Sequence, residues 1–106
     1  MNWTKHIIKF DNYEFRSLEY ENEYYVNISD LSKFVGTISE KGILNSISGI
    51  NYNINTNINI KHNRIYDNCV AYINWYYVIM ITMMFNNEKY IKYKNILEKY
   101  LCLKID

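Results

Sequence analysis

The feature that most constrains this chain is the apolar stretch at residues 69–85, CVAYINWYYVIMITMMF, which contains no charged side chain. Only Asn74 and Thr82 fall outside the apolar and aromatic residue types. A helix that crosses a bilayer needs about 20 apolar residues, and runs of about 10–14 are more often core elements. The asparagine and the hydroxyl groups suit a protein interior. The stretch therefore predicts a central buried helix over residues 75–85, with Asn74 as its N-cap, and no membrane partner.

Length and charge limit what else the chain can be. Its 106 residues predict one small domain, residues 1–106, with one modest core. Residues 1–32 carry three basic and six acidic side chains, and residues 33–106 carry nine basic and five acidic ones. The positive second part is compatible with a phosphate-bearing partner without requiring one. Cys69 and Cys102 lack a CxxC-type spacing, so we expect core thiols and a reducing intracellular compartment.

The first third of the chain predicts strands. Ile8 and Phe10 begin a short apolar run, and residues 15–20 mix large apolar with polar side chains as a half-buried strand does. Residues 21–23 suit a turn, and residues 24–28 form a second β-rich run. This pattern predicts an antiparallel hairpin.

Two short helices are predicted next. Ser29 is a suitable N-cap for a helix over residues 30–35, which Gly36 would end in the left-handed conformation. Ser39 offers a second N-cap, for a helix over residues 40–48. The two could form a helix-turn-helix-like pair. Helix pairs of this kind also serve simply to cover one side of a core, and the spacing alone favours that simpler role.

The second half of the chain predicts another hairpin and two helices. Residues 50–60 alternate strictly between Asn and mostly Ile, which favours a half-buried strand over a low-complexity tract. The polar residues 61–64 predict the hairpin tip, with a second arm running towards residues 72–73. A final helix is expected from Glu88. The fold class is therefore α+β: small antiparallel hairpins and short helices packed around the central apolar helix.

Two segments resemble a known family. Residues 24–34, YYVNISDLSKF, resemble the first signature of KilA-N domains, and residues 64–85, which begin RIYDNCVAYINW, resemble the second. The two segments are most similar to the KilA-N domains of large DNA viruses, above all those of poxviruses. Asn74 stands where that family usually has His. The resemblance implies a viral DNA-binding domain located in the host cytoplasm.

Few residues suggest chemistry other than binding. His6 and His62 have no Cys or carboxylate at a metal-ligand spacing, and the glycines form no phosphate loop. We therefore expect no enzyme, no cofactor and no bound metal.

The candidate nucleic-acid-binding residues lie at the predicted hairpin tip, which would act as a wing, and beside the helix pair. Basic side chains there would contact phosphates, although hairpin tips are also polar simply because they are wet. The set is Lys33, Lys41, Lys61, His62, Asn63 and Arg64. The alternative function is a protein-interaction or host-modulating module that has lost DNA binding and can self-associate. The near-neutral net charge and the twelve tyrosines favour this alternative.

Overall fold

The computed structural model describes residues 2–49 and 62–101 of the chain. Within them the fold is α+β, as predicted: a five-stranded antiparallel sheet and four helices. The strands are arranged in the order β1-β2-β3-β5-β4. The elements are β1 (Thr4–Phe10), β2 (Tyr13–Tyr20), β3 (Glu23–Asn27), α1 (Ile28–Val35), α2 (Glu40–Gly49), β4 (Arg64–Asp67), β5 (Val70–Asn74), α3 (Trp75–Phe85) and α4 (Asn87–Leu101).

The N-terminal part is a three-stranded meander, one strand more than predicted. The turn between β2 and β3 lies at Glu21–Asn22, close to the predicted position, and both residues have positive φ, 51° and 64°. Positive φ at both central residues is the geometry whose twist suits a tight hairpin. A second two-residue loop, residues 11–12, joins β1 to β2. The short run at Ile8 and Phe10 is thus the end of a full strand.

The predicted second arm of the second hairpin, residues 64–73, is not one strand but two, β4 and β5. The expected tip at residues 61–64 is wrong at Arg64, which is the first residue of β4 and pairs with Ile73. Within this arm the chain turns at Asn68–Cys69, with φ of 49° and 67°. Cys69 is exposed there, so it is not the core thiol that we expected. The strand predicted over residues 50–60, Lys61 and Cys102 all lie outside the described residues.

The helix pair forms almost as predicted, apart from its first cap. Helix α1 begins at Ile28, and the side chain of Asn27, not of Ser29, accepts hydrogen bonds from the backbone N–H groups of Ser29 and Asp30. Gly36 ends α1 in the left-handed conformation, with φ of 81°, as predicted. The Ser39 hydroxyl accepts a 3.0 Å hydrogen bond from the N–H of Gly42 in α2, which supports its role as the N-cap.

Helix α3 is the central helix that the apolar stretch predicted. It spans Trp75–Phe85, and the Asn74 side chain caps it by accepting a hydrogen bond from the N–H of Tyr76. Its last turn departs from the prediction, because Met83 is 38% exposed and Met84 57%. The apolar stretch has 17 residues, and the core of this small protein does not cover its last three. Among the described residues, no helix is long and apolar enough to span a membrane.

The core lies on both faces of the sheet. On the first face the four helices cover a large apolar cluster, and the sheet contributes to it Ile8, Phe10, Phe15, Val26, Ala71 and Ile73. On the second face a smaller cluster of Leu18, Tyr25 and Ile65 is flanked by Trp3, Tyr20 and Tyr72. Candidate binding residues also lie on different faces: Arg64 is on the first face and His62 on the second. Residues on opposite faces cannot contact the same part of a partner.

Candidate nucleic-acid interface

The wing residues that the structure describes, His62, Asn63 and Arg64, do not form one cluster. His62 is exposed and its ring centroid lies 6.2 Å from that of Tyr20, on the second face of the sheet. Arg64 points to the helix-covered side, where its guanidinium donates a 3.4 Å hydrogen bond to the hydroxyl of Ser48 in α2. The carbonyl of Asn63 accepts the N–H of Asn74 at 2.9 Å, which extends the backbone pairing beside β4. Arg64 therefore belongs with α2 and not with His62.

Helix α2 presents a polar stripe to the outside. Lys41, Asn45 and Ser48 follow one another at spacings of four and three residues, so they share one side of the helix. All three are exposed, while Ile43 and Ile47 on the opposite side are fully buried. The burial of these two isoleucines determines which side of α2 faces solvent. The stripe is about 10 Å long at the rise of an α-helix.

Arg64 continues this stripe beyond Ser48. We name the set Lys41, Asn45, Ser48 and Arg64 the α2–Arg64 surface. Lys33 is also exposed and lies in the last turn of α1, on the other helix of the pair. The structure thus places three of the predicted cations on or beside the helix pair.

Among the described residues, these three cations have no ion-pair partner. Within residues 2–49 and 62–101, no carboxylate oxygen lies within 4.0 Å of the charged nitrogens of Lys33, Lys41 or Arg64. Two basic side chains of the N-terminal strands are paired: Lys9 with Glu14 at 3.0 Å and Arg16 with Asp30 at 2.9 Å. The helix pair therefore carries cations that remain available to an anionic partner.

The Arg16–Asp30 pair anchors the start of the helix pair to the sheet. The guanidinium of Arg16 donates to both carboxylate oxygens of Asp30 at 2.9 Å, and its backbone N–H donates to one of them at 2.8 Å. Burial raises the pKa of the Asp30 carboxyl, but the hydrogen bonds from Arg16 outweigh burial, so the pKa lies below its usual value. Sequence reasoning assigned Asp30 only to the helix dipole and missed its partner, which lies 14 residues earlier.

A second polar network holds the end of α1 against the junction of α3 and α4. The Thr37 hydroxyl donates to the carbonyl of Phe85 at 2.6 Å, and the Asn86 amide donates to the carbonyl of Val35 at 2.8 Å. The Lys89 ammonium donates to the carbonyl of Phe34 at 2.5 Å. These contacts occupy carbonyl groups at helix ends that have no partner within their own helix. Both ends of α1 are therefore fixed, which gives the helix pair a defined orientation.

The second face of the sheet carries a groove of about 270 Å³. Its lining includes Lys5, Ile7, Arg16, Leu18 and Tyr72.

Within the described part of the chain, no three His, Cys, Asp or Glu side chains come together in a way that could hold a metal ion.

The chain was compared with protein-family models, curated proteins and solved structures. No family model, no curated protein and no solved structure matches the chain. The resemblance to KilA-N domains accordingly stays a prediction that rests on the two short segments.

Proposed function

We propose that this protein binds duplex DNA through the α2–Arg64 surface, with Lys33 as an additional phosphate contact. The observation that carries the proposal is the presence of exposed Lys33 and Lys41 on a fixed helix pair, with half-buried Arg64 beside it. None of the three is paired to a carboxylate in the described part of the chain. The resemblance to KilA-N domains supports the same function. The proposal includes the viral origin and the location in the host cytoplasm that this resemblance implies.

The shape and chemistry of the surface suit a duplex. An α-helix fits the major groove, and an exposed polar side of α2 is what such docking would require. Lys41 supplies a compact charge near the start of the stripe, and Arg64 supplies a planar set of donors suited to phosphate oxygens near its end. Asn45 lies between them and has the amide group that pairs with adenine edges. Phosphate contacts would position the helix, and Asn45 would be the candidate for base contact.

The proposal changes the roles of the residues predicted for the wing. Arg64 keeps its role, but as an extension of α2. His62 and Asn63 lie apart from that surface and are not assigned contacts with DNA here. Lys61 stays a predicted contact, outside the described residues.

The test is the salt dependence of DNA binding. Fluorescence anisotropy with a short labelled duplex, measured between about 50 and 200 mM salt, should show affinity that falls steeply with salt. The double variant Lys41→Ala with Arg64→Ala should weaken binding to every sequence and flatten the log–log slope by roughly 0.9 per lost phosphate contact. The control variant, Lys5→Ala with Lys94→Ala, removes the same charge from exposed positions elsewhere and should change the slope little.

Two outcomes would contradict the proposal. If the control variant loses as much affinity as the double variant, binding depends only on net charge and not on the α2–Arg64 surface. If the parent protein does not bind the duplex at the lowest salt, DNA binding is excluded.

In that case the second candidate function is a protein-interaction module that can self-associate or act on a host protein. A separate observation favours it: Met83, Met84 and Phe85 at the end of α3, and Ile91 on α4, are between 36% and 64% exposed. Exposed methionine and aromatic side chains are enriched at protein interfaces. Light scattering would give the mass of the protein in solution, and a mass above 12.9 kDa would show self-association.

A further inference from the structure

Strand β1 forms an outer edge of the sheet that is open to another strand. Among the described residues it pairs only with β2. It is seven residues long and contains no proline, which would otherwise block pairing. Thr4, Lys5, Ile7 and Lys9 are exposed along it. A long outer strand with these properties is a site where an extended peptide can add to the sheet.

The register shows which backbone groups point outward. A two-residue hairpin loop is closed by a hydrogen-bonded pair, here Phe10 with Tyr13. Hydrogen-bonded and non-hydrogen-bonded pairs alternate along an antiparallel ladder, so the N–H and C=O groups of Lys5, Ile7 and Lys9 are directed away from β2. In the described part of the chain no other backbone hydrogen bond engages these groups. The backbone N–H and C=O groups of three alternate residues, Lys5, Ile7 and Lys9, are therefore available for pairing with another strand.

The side chains of the same three residues indicate the chemistry of the partner. Lys5, Ile7 and Lys9 alternate in register and so lie on one face of the sheet, the second face. The side chain of Ile7 is 60% exposed. Cross-strand neighbours interact directly, so the complementary strand places an acidic, an apolar and an acidic side chain opposite them. The Lys9–Glu14 ion pair competes little, because both side chains are more than 60% exposed.

The same charges argue against self-association through this edge. If two copies of β1 paired antiparallel about Ile7, Lys5 of each copy would face Lys9 of the other. Like charges directly opposite one another destabilise a strand pair. In this register the charges disfavour a second copy of this chain and favour an acidic strand of a different protein.

We propose that β1 accepts an extended acidic segment of a partner protein as an additional antiparallel strand, with an acidic–apolar–acidic pattern facing Lys9, Ile7 and Lys5. This surface is separate from the α2–Arg64 surface, and the proposal does not depend on DNA binding. Backbone hydrogen bonds would supply affinity, and the two lysines would select the sequence.

The test uses a synthetic peptide in which Glu, Val and Glu occupy alternate positions and Thr the others, with a matched peptide that has Lys in place of Glu. Labelled peptides would be titrated by anisotropy, and amide NMR would locate the contact. We expect the Glu peptide to bind at least tenfold more tightly than the Lys peptide and to perturb the amides of Lys5, Ile7 and Lys9. The double variant Lys5→Glu with Lys9→Glu should reverse this preference.

A backbone variant separates strand pairing from simple charge attraction. Ile7→Pro removes an outward N–H that β2 does not use, so the sheet should persist by circular dichroism while affinity for the Glu peptide falls at least tenfold. Equal binding of the two peptides, no binding of either, or amide shifts away from β1 would overturn the proposal. So would unchanged affinity of a folded Ile7→Pro variant. If that variant fails to fold, the amide shifts of Lys5, Ile7 and Lys9 and the reversed preference of the charge-reversal variant together decide the question.

Discussion

Asn74 joins the sheet to the central helix, and its replacement should be among the most damaging single changes in the protein. Its side chain is fully buried. The amide nitrogen donates a 2.9 Å hydrogen bond to the carboxylate of Glu23, which is itself 6% exposed, and the amide oxygen accepts the N–H of Tyr76 at 3.0 Å. The hydroxyl of Tyr25 donates to the same carboxylate oxygen at 2.8 Å. One amide thus caps α3 and helps to satisfy a buried carboxylate.

The expected cost of Asn74→Ala follows from these two contacts. Loss of an N-cap costs about 1 kcal/mol. Loss of a hydrogen bond to a charged group costs about 1.5–3 kcal/mol. We therefore expect the free energy of unfolding to fall by about 3 kcal/mol, a large share of the roughly 5–15 kcal/mol typical of a domain. Urea unfolding, followed by circular dichroism and tryptophan fluorescence, measures it. The control Asn45→Ala, on the exposed side of α2, should change stability by less than about 0.5 kcal/mol.

Asn74→Asp separates the two contributions. Aspartate keeps the oxygen that caps α3 and suits the helix dipole, but it replaces the donor with a second carboxylate facing Glu23. We expect this variant to be at least as unstable as Asn74→Ala at pH 7, and to recover partly in acid as one carboxyl becomes protonated. If Asn74→Asp is as stable as the parent at pH 7, the hydrogen bond to Glu23 contributes nothing and the argument is refuted.

Three further predictions test the core and the titrating groups. Ile79→Ala should lower the free energy of unfolding by about 2–5 kcal/mol in urea unfolding, while Met83→Ala should cost much less because Met83 is 38% exposed; equal costs would contradict the burial assigned to α3. The pKa of the Asp30 carboxyl is lowered in the folded protein, so its ionised form contributes stability above the unfolded pKa, and this stability is lost as the pH falls through the folded pKa. The difference in the free energy of unfolding between the parent and Asp30→Asn, measured in urea, should therefore shrink below about pH 4. A difference that does not depend on pH would exclude this linkage. A hydrogen bond to Asp11 raises the pKa of Tyr93 to about 12, so Asp11→Asn should shift its titration, followed by NMR of the ring, back towards about 10, and no shift would show that the contact is absent in solution.

The sequence was most informative where local rules and burial agree. The apolar stretch and Asn74 predicted both the bounds and the cap of α3, because capping depends on residues that are adjacent in the chain. The end of α1 at Gly36 and the cap of α2 at Ser39 followed from the same local chemistry. By contrast, the burial of Met83 depends on how far the rest of a small protein reaches along α3, which no local pattern contains.

The missed turn within residues 64–73 has a different physical cause. The turn at Asn68–Cys69 contains no glycine, and a cysteine at positive φ is an uncommon choice, so the polar run at residues 61–64 gave the stronger turn signal. The structure therefore groups the candidate residues differently from the prediction, which placed Arg64 with His62 at a hairpin tip. Lys41, Ser48 and Arg64 come together because β4 carries Arg64 to the end of α2, and only the register of the sheet shows this.

The central claim is that the α2–Arg64 surface contacts DNA, and amide NMR during titration with a short duplex tests it most directly. The account predicts that the amide signals of Lys41, Asn45, Ser48 and Arg64 shift or broaden at low salt and return towards their free positions as salt is raised. Signals of β1, on the outer edge of the sheet, should stay unchanged. Shifts confined to β1 and β2, or no shifts at low salt, would contradict the account.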